Sequence, residues 1–148
     1  MRYILSCVLL LGATLTAQTL QSTLLALKDP QAPRKVLSNQ LVDEIMALSK
    51  RDQSPARTTV QRFAEDLTGA LRGKDVTSVR ATALAKAITD VLSGKGSTAL
   101  PANRLYETLC GFRLEHQTIQ LLVDRFREIG QEIRGPDDSP LIRDITRK

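Results

Sequence analysis

The chain has 148 residues, 42% hydrophobic and 25% charged, with a formal net charge of +5; this composition excludes a chain too polar to collapse and leaves room for one domain. Two cysteines exclude a disulfide framework, and a single histidine leaves no histidine-rich metal site. Three phenylalanines, two tyrosines and no tryptophan leave little for the aromatic platforms on which single-stranded nucleic acid stacks.

The first segment, "MRYILSCVLLLGATLTAQT", has the build of an export signal: Arg2, an apolar run, then small residues. No charged residue stands between Tyr3 and Leu27. A cut after Ala17 gives a leader of residues 1–17 and a mature chain with net charge +4, since only Arg2 is lost from the charged set. An uncleaved inner-membrane anchor is the alternative, because a span needs about 20 predominantly apolar residues. Gln18, Thr19, Gln21, Ser22 and Thr23 speak against it, since hydrocarbon offers their polar groups no partners. Lipid attachment at Cys7 is disfavoured because only four residues separate it from Arg2. Once the leader is removed, Cys110 is the sole thiol, and the domain depends on an apolar core.

Residues 18–35 read as an N-terminal extension and linker, ending in "KDPQAPRK" with Pro30 and Pro33. From residue 36 apolar side chains recur at three and four residues, and no alternating strand pattern competes. Leu37, Leu41, Ile45 and Leu48 share one face of a helix ending near Arg51. Ser54 followed by Pro55 predicts an N-cap and first helical residue, after which Val60, Phe63, Leu67, Ala70 and Leu71 make a stripe. The next helix starts near Thr77 and turns Ala81, Leu84, Ile88, Val91 and Leu92 inward. Pro101 opens a short one with Ala102, Leu105 and Leu109, and the longest carries Ile119, Leu122, Phe126, Ile129 and Ile133 before Gly135 and Pro136 stop it. The expected fold is all-α, a bundle of four to five helices over residues 36–135.

"LTGALRGK" and "ITDVLSGK" repeat a pattern 21 residues apart. Both read as helix ends, with glycine taking the left-handed position and lysine facing the negative end of the dipole. "SGKGST" lacks the earlier glycine and the preceding strand of a phosphate loop.

Cys110 and His116 pose the sharpest question of chemistry. On one helix six residues turn the chain by about 600°, so the two side chains point some 120° apart, about 9 Å apart along the axis. Only a break at Gly111 brings them together, and no orienting third residue is evident. Cys110, beside Leu109 and Phe112, is expected to be a buried small hydrophobe, and His116 solvated. The acidic pairs Asp43-Glu44, Glu65-Asp66 and Asp137-Asp138 do not converge as acid and base, and Arg125, Glu128 and Glu132 read as a solvated ion-pair lattice. No catalytic residue, cofactor or metal ligand is assigned.

The tail, residues 136–148, holds "PLIRDITRK", in which Leu141, Ile142 and Ile145 share one face of a possible short helix, the candidate partner-binding residues. Residues 34–104 carry twelve basic and seven acidic side chains, net +5, against net −1 for residues 105–148. Such a surface attracts anionic partners. The sequence therefore leads to an exported, periplasmic or extracellular, non-enzymatic binding or structural component of the cell envelope. Its partner is a protein or an anionic envelope component; nucleic acid and a stable membrane span are not expected. A hydrolase with a carboxylate and arginine site is the alternative.

Overall fold

The computed structural model describes residues 12–50 and 53–134, with side chains from Thr19 onward. Among these residues the protein is entirely helical. Six helices follow one another: α1 (Gly12–Ala26), α2 (Arg34–Leu48), α3 (Arg57–Leu71), α4 (Ser78–Leu92), α5 (Ala99–Cys110) and α6 (His116–Arg134).

The inward stripes are those the periodicity requires. Leu41, Ile45, Phe63, Leu67, Leu84, Ile88, Leu105, Leu109, Leu122 and Phe126 belong to one continuous core. Phe63 of α3 meets Phe126 of α6 with ring centroids 5.7 Å apart and planes tilted by 52°, a favourable edge-biased arrangement. Helix α4 packs against α1, α2, α5 and α6 and so occupies the centre, while α1, α2, α3, α6 and α5 follow one another around it. Ala81, Ala85 and Ala87 are buried along α4 beside its larger apolar residues; short side chains let several helices approach at once.

A sixth helix stands where an extension and linker were expected. Helix α1 runs through residues 18–26, and Leu20, Leu24 and Leu27 are fully buried in the common core. Leu20, Leu24 and Leu27 recur at four and three residues, a helical face hidden in the sequence by the neighbouring apolar run. Its end is tied down: the Gly73 amide donates to the Leu27 carbonyl at 2.8 Å, and Gly73 takes φ +79 to do so. Gly73 and Gly94, φ +72, both follow helix ends in left-handed conformation, which makes the repeated "GK" segments caps.

The start of α3 also differs from expectation. Its N-cap is Ala56, and the Ser54 hydroxyl turns back to the Lys50 carbonyl at 3.0 Å. The cap comes instead from α6: Glu132 accepts from the Ala56 amide at 2.7 Å and from the Thr59 hydroxyl at 2.5 Å. A carboxylate at that position satisfies a free N–H and faces the positive end of the dipole. Glu132 is thus a tertiary cap, where a purely solvated charge was expected.

Candidate functional site

A groove of about 370 Å³ lies between α2 and α3, lined by Arg34, Lys35, Ser38 and Asn39 on one side and Gln61 and Glu65 on the other. Residues 34, 35, 38 and 39 share a face because they are spaced by one helical turn. Lys35 and Asn39 are exposed, whereas Ser38 is only 4% exposed and its hydroxyl finds no hydrogen-bond partner. The guanidinium of Arg34 lies over Gly69, so close that a Cβ there would stand 2.7 Å from an Arg34 nitrogen. Glycine at this point lets the arginine cross to the C-terminal turn of α3, whose carbonyls attract a cation.

The N-terminus of α2 has Pro33 as its cap residue, no side-chain cap and no acid in its first turn. Two cations at this positive end are electrostatically unfavourable, and an anion beside them relieves the conflict. No carboxylate pairs with Arg34 or Lys35 within ion-pair distance among the described residues. Sequence reasoning treated Arg34 and Lys35 as the end of a linker. The one available signal was a pair of basic residues at a helix start without a compensating acid.

Other arginines and carboxylates are spread over separate helix pairs. Arg57 meets Asp43 at 2.6 Å across α3 and α2, Arg104 meets Asp90 at 2.7 Å across α5 and α4, and Arg125 meets Asp66 at 3.2 Å across α6 and α3. Arg125 also reaches Glu128 at 3.6 Å, as the ion-pair lattice requires. These contacts join elements and do not gather in one cleft.

Cys110 is exposed, which corrects its expected burial. Leu109 and Phe112 take the inward positions, and Cys110, one residue beyond Leu109, is turned by about 100° away from the core. His116 is exposed at the start of α6, beyond a turn in which Arg113, with φ 57, takes the left-handed conformation instead of Gly111. No hydrogen bond joins the thiol to the imidazole, and among the described residues no three His, Cys, Asp or Glu side chains gather to hold a metal ion.

The "SGKGST" segment is a carbonyl cradle. Arg134 donates to the carbonyls of Val91 at 3.0 Å, Lys95 at 3.2 Å and Gly96 at 2.7 Å, so the loop faces a guanidinium with acceptors and is occupied as an α4–α5 connection. Leu141, Ile142 and Ile145, with Gly135, Pro136 and the rest of the tail, lie outside the described residues, as do Arg51 and residues 1–11.

One further contact stands out chemically. Between α1 and α2, Glu44 has one carboxyl oxygen 2.9 Å from the Thr23 hydroxyl, while the other, Oε1, is buried without a partner. Burial raises the Glu44 carboxyl above its ordinary 4.5, Thr23 opposes this by hydrogen bonding, and the neighbouring Asp43 adds to the rise.

The chain matches no protein-family model, no curated protein and no solved structure. No helix among the described residues is long and apolar enough to cross a membrane.

Proposed function

We propose that this chain is an exported, non-enzymatic binding component of the cell envelope, and that the α2–α3 groove holds an anionic group of its partner. The observation that carries the reading is the conjunction of Arg34 and Lys35, neither paired with a carboxylate among the described residues, with the unpartnered Ser38 hydroxyl in one groove. The cations attract the anion, and Asn39 and Gln61 supply amide donors beside them. Glu65, on the opposite wall, repels a bare anion and accepts from hydroxyls, which favours an acidic carbohydrate over inorganic phosphate.

Export rests on the uncharged, apolar start of the chain. A cut after Ala17 leaves Leu20, Leu24 and Leu27 in the mature protein, so it is compatible with the core. The test is a titration of the protein with polyuronate oligosaccharides in low salt. Wild type binds with an affinity that falls as salt rises. Arg34→Gln with Lys35→Gln weakens binding by roughly fivefold or more, on the scale of two exposed charge contacts. Equal binding by the double variant removes the groove from the proposal.

A further inference from the structure

The contact between α1 and α2 sets a proton count that the groove does not involve. The Thr23 hydroxyl lies 3.0 Å from the Thr19 carbonyl and 2.9 Å from Glu44 Oε2. It has one hydrogen and two neighbouring acceptors. Four of the other threonines in this bundle, Thr68, Thr82, Thr89 and Thr108, give their hydroxyl hydrogen to the carbonyl four residues back, whereas Thr59, at the start of its helix, gives its own to the Glu132 carboxylate. If Thr23 does as those four do, its oxygen meets a carboxyl oxygen with no hydrogen between them unless Glu44 supplies one. We infer that Glu44 is protonated in this contact, donates to Thr23, and thereby makes the seating of α1 on α2 sensitive to pH.

The rest of the surroundings agree. The buried Oε1 is then the carbonyl oxygen of a neutral acid, for which an absent partner costs far less than for half of a carboxylate. Helix α1 offers no compensating cation, since Gly12–Ala26 contains no charged residue. On α2 the adjacent acid is Asp43, and Arg57 of α3 is bound to that group at 2.6 Å. The charged groups of α4, packed on both helices, are engaged elsewhere: Arg80 with Asp75 and over the Phe112 ring, Lys86 with Asp90, and Asp90 with Arg104.

A carboxyl whose folded pKa is raised contributes stability that is complete below its unfolded value and is lost as pH rises through the folded value. Ionised Glu44 either leaves Thr23 or takes the one hydroxyl hydrogen that otherwise goes to the Thr19 carbonyl. In either case the seat of Leu20, Leu24 and Leu27 loosens above the ordinary carboxyl range, and the apolar face of α1 opens more often.

Amide hydrogen exchange on the full chain, corrected for the intrinsic pH dependence of exchange, measures this opening for Leu20 to Ala26. Between pH 4.5 and 7 the opening constant of α1 is expected to rise by up to about tenfold per pH unit, the limit for release of one proton, while α6 changes less. Glu44→Gln, whose amide donates to Thr23 as the protonated acid does, is expected to abolish the slope and keep α1 closed at pH 7. A carboxyl-carbon NMR titration of wild-type Glu44 gives an independent reading, with a midpoint above 4.5 expected. A midpoint at or below that value, a slope that survives in Glu44→Gln, or a slope shared equally by α6 overturns the inference.

Discussion

Cys110 shows how one position along a helix reverses the chemistry of a side chain. Leu105 and Leu109 are fully buried on α5, and the residue after Leu109 falls off that stripe into solvent. The thiol is therefore expected to react with an alkylating reagent in the native protein without denaturant, and intact mass reports the adduct. Cys110→Ser is expected to change stability by no more than about 0.5 kcal/mol, as exposed substitutions do, checked by chemical denaturation. Rarity of cysteine and adjacency to apolar residues suggested burial; the rotation of the helix against its neighbours, which only packing fixes, decided otherwise. Gly130 makes the same point from the other side, because a Cβ there would collide with Thr98, so the absence of a side chain admits the α4–α5 loop against α6.

At the level of elements, the ends of the helices depend on partners distant in sequence. Glu132 caps α3 across 76 residues to Ala56 and 73 to Thr59. Glu132→Ala is expected to lower stability by about 1 kcal/mol, the usual loss for a helix cap, read as a shift of the denaturation midpoint with an unchanged slope. Local rules placed the cap at Ser54, since serine before proline is a common start; they failed because a carboxylate from α6 reaches the free amide with a charge-assisted bond. The C-terminal caps were legible, because glycine at Gly73 and Gly94 is a local requirement of a left-handed residue. The groove was not, since Arg34 and Glu65 become neighbours only when α2 and α3 pack side by side.

For the whole molecule, α1 decides where the domain begins. A chain starting at Gln18 retains Leu20, Leu24 and Leu27 and is expected to fold with full helicity by circular dichroism. A chain starting at Asp29 loses all three and is expected to lose on the order of 5 kcal/mol or more, given that one buried leucine commonly contributes 2 to 5 kcal/mol, and so to unfold or aggregate. The sequence by itself determined the helical class, the inward stripes of five helices and the glycine caps, because a 3.6-residue period and a left-handed turn residue are properties of a local stretch. Tertiary structure alone decided that residues 19–27 belong to the core, that α4 lies at the centre, that Glu132 is a cap, that Cys110 faces water and that Glu44 meets Thr23. Each of those depends on the distance between groups far apart along the chain, and the free energy that fixes such distances is the burial of apolar surface shared by all six helices.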